Sequence, residues 1–262
     1  MKILAIDAAG TSGSVAYLED GKLVGEYYLC NKLTHSQTIM PMMEHLKGII
    51  GMNLEKLDAI AVTSGPGSFT GLRIGVATAK AMAMALNVPI VGIPTLDVIA
   101  TNIQFTEAII CPIMDARRGQ VYTALYEYDE EGVRRISDHL GIQMSELLSK
   151  LNEDSRQVIF LGDGVDVFKA TIQENLGSRA VFAPSFMRMQ RAGVLAELGA
   201  QAFARGEGED PNLFVPMYLR KSQAERELEE KQKLEEEKQK LENKQKFKQE
   251  KQAQEERQEH VH

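Results

Sequence analysis

The sequence is poor in the residues that metal, redox and secreted chemistries draw on. Its two cysteines, Cys30 and Cys111, sit in strand-like apolar contexts with no CxxC spacing. That excludes a disulfide framework and predicts two buried thiols in a reducing cytosol. Of the five histidines, His35, His45 and His139 have no partner at i+3 or i+4, and His260 and His262 belong to the last residues. HExxH is absent, so a zincin-type protease is excluded, and no clustered ligands suggest a metal. No run reaches the ~18 apolar residues of a membrane span. The apolar stretch in MKILAIDAAG is too short for a secretory leader and already contains Asp7. Positive charge is also scarce: 30 Lys+Arg face 37 Asp+Glu, a net charge of −7. A stand-alone nucleic-acid binder needs a basic footprint, which is missing here.

What is present is enough for one large domain or two of ordinary size: 262 residues, 44% of them hydrophobic. Composition changes abruptly after Arg220. Residues 222–262 have neither Gly nor Pro, and ten basic residues stand against twelve glutamates. The pairs Glu227–Lys231, Glu229–Lys233, Glu236–Lys240 and Glu242–Lys246 are in the favourable i,i+4 order. Leu228, Leu234, Leu241 and Phe247 drift off any single heptad seam. This predicts a solvated, charged helical tail.

The body repeats one pattern. ILAID, SVAYLE and KLVGEYYL are followed by a helix over 36–50, then AIAVTSGPG and a helix over 71–86. IICPIMD, QVYTALYEYD and VRRISDHLGI are followed by a helix over 145–151, then VIFLGDG and VDVFKATIQENL. Period-two strands with Asp-Gly and Glu-Gly turns predict hairpins in both halves. The reading is an α/β chain with two duplicated β-β-β-α-β-α domains, 1–104 and 105–221, as in the actin-like ATPase superfold, followed by the 222–262 tail. In it Asp7 corresponds to Asp115, and Gly65 to Gly162.

TSGPGSFTGLRIGVATA, residues 63–79, raises the question of a phosphate loop. The lysine of a Walker loop is missing, the glycine spacing is not GxGxxG, and no acidic residue follows at ribose distance. Two uses remain. Free N–H groups at the helix N-terminus attract an anion. Alternatively, Gly65 and Gly67 supply turn geometry, Pro66 stiffens it, and Ser68 or Thr70 caps the helix, which needs nothing beyond the residues present. Candidates for weak nucleotide or phosphate contact are Asp7, Thr11, Ser12, Gly65, Gly67 and Ser68. No base, nucleophile or acceptor pocket accompanies them.

The helix behind the loop is small on nearly every face, with Gly75, Ala77, Ala79, Ala81, Ala83 and Ala85. Met40, Met42, Met43, Met82 and Met84 add an adaptable surface. Helices 36–50 and 71–86 are therefore the predicted partner surface, with Met40, Met43, Leu72, Val76, Ala79 and Ala83 at its seam. The same surface could also close on itself as a homodimer.

ILAIDAAGTSGSVAY, TSGPGSFTGLRIGVATAKAMA, PTLDVIA, PIMDARRGQVY, GDG and PMYLR resemble, in this order, the bacterial TsaB (YeaZ) proteins over residues 1 to about 220. The resemblance implies a non-catalytic, cytoplasmic role in making threonylcarbamoyladenosine beside the tRNA anticodon. The transferase would be the paralogue TsaD, bound through the N-terminal domain, with the ATPase TsaE completing the assembly and tRNA held through the complex. Where that catalytic paralogue carries two metal-binding histidines, this chain reads GIPTLDVIA, with no histidine. The implied cofactor list is empty, apart from weak ATP or ADP contact within the complex. The resemblance does not extend to the tail. A different reading of the same fold is an autonomous small-molecule kinase or ATPase. A third is a self-associating structural protein.

Overall fold

The computed structural model describes residues 1–219 together with Glu235. The chain divides into Met1–Leu219 and Arg220–His262, so the predicted tail helix lies outside the described residues apart from that one glutamate.

The first sheet is built from β1 (Lys2–Asp7), β2 (Gly13–Glu19), β3 (Lys22–Leu29), β4 (Ala59–Gly65) and β5 (Ile90–Pro94) in the order β3-β2-β1-β4-β5. β1, β2 and β3 pair antiparallel, whereas β4 runs parallel to both β1 and β5. Helices α1 (His35–Ile50) and α2 (Phe69–Leu86) make the crossovers that parallel strands require. The period-two alternation of β1 explains the layering. Leu4 and Ile6 pack with Ile39, Met42, Met43, Leu46, Val76, Ala79 and Ala83 of α1 and α2. Ile3 and Ala5 face the other way, onto Ala192, Leu195, Ala196 and Ala202 of helix α6 (Ala192–Ala204). Both faces are covered, so the strands read as nearly continuous apolar runs.

Helix α6 was not part of the duplicated pattern, and it comes from beyond residue 105. It lacks a cap of its own. The Ala192 N–H instead donates to Ser14 Oγ at 2.9 Å, and the Gly193 N–H to Glu26 Oε1 at 3.1 Å. Glu26 also grips Arg191, with Nη2 to Oε2 at 2.6 Å. The first sheet is thus completed by residues that follow the second.

The second sheet repeats the first. β6 (Ile109–Asp115), β7 (Gln120–Thr123), β10 (Leu140–Gln143), β11 (Val158–Leu161) and β12 (Ala180–Phe182) run in the order β10-β7-β6-β11-β12. α4 (Met144–Leu151) and α5 (Gly164–Leu176) are the crossovers. The duplicated actin-like α/β fold is therefore present. The two long strands expected over QVYTALYEYD and VRRISDHLGI are each broken, leaving a separate hairpin, β8 (Tyr126–Asp129) and β9 (Gly132–Arg135). A short helix, α3 (Thr95–Ala100), leaves β5 and buries Leu96, Ile99 and Ala100 against Ile110, Met114, Tyr126 and Leu161 of the second half. Cys111 is buried as expected, but Cys30 is exposed because it follows the end of β3.

Candidate functional site

The glycine loop and the β1–β2 turn meet at the end of β1, and Met217 reaches the glycine loop at Ser64 and Gly65. Asp7, the last residue of β1, is fully buried. Its Oδ1 accepts from the Ala9 N–H at 3.2 Å and from Thr63 Oγ1 at 2.9 Å, while Oδ2 has no partner. Burial pushes its carboxyl up to about 7, against the pull of the bonds from Ala9 and Thr63 and of the nearby Gln190 amide. Ser12 is also fully buried, whereas Thr11 and Ser68 are exposed. Ser68 caps α2, accepting from the Gly71 N–H at 3.2 Å. Two residues that the sequence did not assign to this place are His35 and Gln190. His35 Nε2 donates to the Gly10 carbonyl at 2.9 Å, and the Gln190 amide fills the space over the Gly10 Cα. Neither carried a sequence signal for it, since both reach the turn only through tertiary packing.

The glycines answer the question that the loop raised. A Cβ at Gly67 would collide with the Ala9 carbonyl oxygen, and one at Gly71 with that of Ala8. The Ser68 N–H donates to that same Ala9 oxygen at 2.7 Å. Gly65 has φ +117°, and a Cβ there would strike the Met217 carbonyl, whose residue donates its N–H to Ser64 O at 2.7 Å. The room left by the glycines is taken by the chain's own backbone, and the Gly71 N–H in the first turn of α2 is met by Ser68. The second half is built alike: Gly162, at φ +97°, and Gly164 both face the Ile113 carbonyl. There the Asp115 N–H donates to Asp163 Oδ1 at 3.0 Å, and Arg117 pairs with the Asp115 carboxylate at 3.1 Å. Burial raises the Asp163 carboxyl above its usual range. Among the described residues, no three His, Cys, Asp or Glu side chains converge as a metal site. No described helix is long and apolar enough to cross a membrane.

The predicted seam needs correction. Met43, Val76, Ala79 and Ala83 are buried in the first core, Leu72 is buried too, and of the six residues only Met40 is exposed, at 51%. The reason is that the small residues of α2 are needed where the helix lies on its own sheet. The outer face of α2 carries Arg73, Ala77, Ala81, Met84 and Ala85 at helical spacing. Met40 and Ile49 of α1 are exposed as well.

The fold and this site define an actin-like protein in which both glycine loops seat the chain's own backbone. A family profile described as "TsaD: tRNA N6-adenosine threonylcarbamoyltransferase" matches residues 31–228. The TsaB protein of Bacillus subtilis, a tRNA threonylcarbamoyladenosine biosynthesis protein, is 36% identical over 89% of this chain and 100% of its own length. The TsaB protein of Escherichia coli is 30% identical over 87% of this chain and 98% of its own. The solved structure of YeaZ from Pseudomonas aeruginosa superposes with a TM-score of 0.72 at 28% identity, covering 83% of this chain and 99% of that one. The chain belongs to the TsaB family.

Proposed function

We propose that this chain is the non-catalytic partner subunit in tRNA threonylcarbamoyladenosine biosynthesis. It supports a TsaD-type transferase, which moves the threonylcarbamoyl group from threonylcarbamoyl-AMP to the anticodon-loop adenosine, and it works with a TsaE-type ATPase in the cytoplasm. Membership of the TsaB family carries the reading, and the backbone-filled glycine loops support the non-catalytic part of it. With a net charge of −7, tRNA is reached through the assembly, and any ATP or ADP contact also belongs there. The partner docks on the outer α1–α2 face at Met40, Ala77, Ala81 and Met84, where small and soft side chains let another helix pair approach.

The test is co-purification with a TsaD-type protein. Because Ala81 is exposed, Ala81→Glu is expected to fold normally. It should weaken partner binding by about tenfold or more, since it puts an unpaired carboxylate into the seam. Unchanged affinity removes the docking face. Failure of the native chain itself to bind a TsaD-type protein, or robust nucleotide hydrolysis by it alone, turns the reading towards an autonomous kinase or ATPase.

A further inference from the structure

The β8–β9 hairpin is the part of the second sheet with the thinnest backbone attachment. It joins β6 at one register position, Ile110 opposite Tyr126, and β9 pairs with β8 alone. The break has a cause in β6. Thr123 faces Ile113 and Tyr126 faces Ile110, so β7 and β8 share one register in which Ala124 falls opposite Pro112. A proline has no N–H to donate, and the ladder lapses there. On the returning strand, Tyr126 faces Arg135 but Thr123 faces Leu140. Ala124 and Leu125 are therefore matched by the longer stretch 136–139. A bulge of this kind re-aims a side chain, and the side chain that it re-aims is His139.

His139 turns towards Asp97, which α3 brings from the end of the first sheet. Its Nε2 lies 2.8 Å from Asp97 Oδ1, and the Tyr126 hydroxyl donates to the same oxygen at 2.5 Å. Arg135 Nη1 stands 3.7 Å from that oxygen and 3.0 and 2.9 Å from His139 Nδ1 and Nε2. A nitrogen nearly equidistant from both ring nitrogens cannot lie in the ring plane, so Arg135 Nη1 sits against the face of the imidazole. A carboxylate only accepts, so Tyr126 and His139 are both donors, and His139 is held as the Nε2–H tautomer. Tyr126 is 2% exposed, and burial pushes its hydroxyl well above the usual tyrosine range, which keeps the donor protonated. All three partners of Asp97 lie on the hairpin or its exit. Elsewhere Tyr126 sits in the cluster with Leu96, Ile99, Ile110 and Leu161, and Tyr128 and Val133 pack against it. The outer contacts are the exposed Arg156–Glu127 pair at 2.6 Å and the Phe105–Tyr128 ring contact at 5.1 Å, and exposed pairs contribute little.

We propose that Asp97 is a clasp: α3, grown from the first sheet, holds the outer hairpin of the second sheet shut. When the clasp is broken, residues 126–135 open as a unit about 124–125 and 136–139. The position of a surface element in one half is thereby set from the other half.

Amide hydrogen exchange on the full chain tests this. Asp97→Ala should speed exchange across 126–135 by roughly ten- to hundredfold, the opening cost of a charge-assisted network, and leave β1 and β4 unchanged. Tyr126→Phe keeps the ring packing and should give a smaller rise in the same place; it also decides the matter should Asp97→Ala fail to fold. Nitrogen-15 NMR of the His139 ring should show the Nε2–H tautomer in the native chain and a mixture in Asp97→Ala, which removes the acceptor and which a merely space-filling role would not produce. Unchanged hairpin exchange in both variants, a rise spread evenly over both sheets, or an indifferent His139 tautomer would each overturn the clasp.

Discussion

Asp7 gives the sharpest quantitative expectation. Its carboxyl titrates at about 7 in the fold against 3.8 as an ordinary aspartate, because it is fully buried. Below the unfolded value both states are protonated, and the group costs nothing. Between there and about 7 the folded chain keeps a proton that the unfolded chain has released, so stability falls by about 1.4 kcal/mol per pH unit as pH rises. Above the folded value the loss is complete, about 4 kcal/mol in all. That is a large share of the 5–15 kcal/mol or so that holds a domain together. Asp7→Asn keeps an acceptor for the Ala9 N–H and the Thr63 hydroxyl, both of which bond to Oδ1, and replaces the unpartnered Oδ2 with an amide.

Urea unfolding of the native chain and of the Asp7→Asn variant from pH 5 to pH 9 reads the effect. The native chain should lose stability relative to the variant as pH rises, and the difference should level off above about pH 7. The variant should be the more stable protein at the alkaline end. Two parallel profiles would mean that Asp7 stays ionised through the range, and the reasoning from burial would be wrong.

The remaining expectations concern packing and the tail. Gly67→Ala drives a methyl into the Ala9 carbonyl and should cost about 1–3 kcal/mol of stability, read as a lower urea midpoint; a neutral change would mean that the loop does not seat that backbone. Ala79→Glu places a carboxylate at a position with no exposure and should unfold the chain, in contrast to Ala81→Glu, which circular dichroism distinguishes. Truncation after Lys221 should leave the thermal midpoint and tRNA modification nearly unchanged, because a sequence so charged and so poor in apolar residues has little to bury against the body; a large drop in either would mean that the tail packs against something.

Much of the fold was legible because each half repeats its hydrophobic period. Helices expected at 36–50 and 71–86 appear at His35–Ile50 and Phe69–Leu86, the second starting earlier because Ser68 is its cap. The broken strands of the second half were not legible: Pro112 is visible in the sequence, but the residue opposite it depends on sheet register. Nor was the inward face of α2. A helix small on every side has little hydrophobic contrast to say which face meets the sheet, so Ala79 and Ala83 read as well for an interface as for the core they occupy. His139 carried no signal, since its neighbour Asp97 lies 42 residues away in the chain.

The glycine loops show why a motif of this kind stays ambiguous until the fold is known. A phosphate and a backbone carbonyl ask the same thing of the chain: a place with no Cβ, next to N–H groups that can donate. The crossover from β4 to α2 brings the loop over the end of β1, and the Ala8 and Ala9 oxygens sit where a Cβ would have to go. The second half solves the same crossover with Gly162 and Gly164 over Ile113. Two loops of different sequence using glycine for one packing purpose point to a requirement of the duplicated fold itself, so glycine content alone argues for no ligand. What distinguishes this chain then lies on its outer faces, where Met40, Ala81 and Met84 are exposed without a packing need of their own.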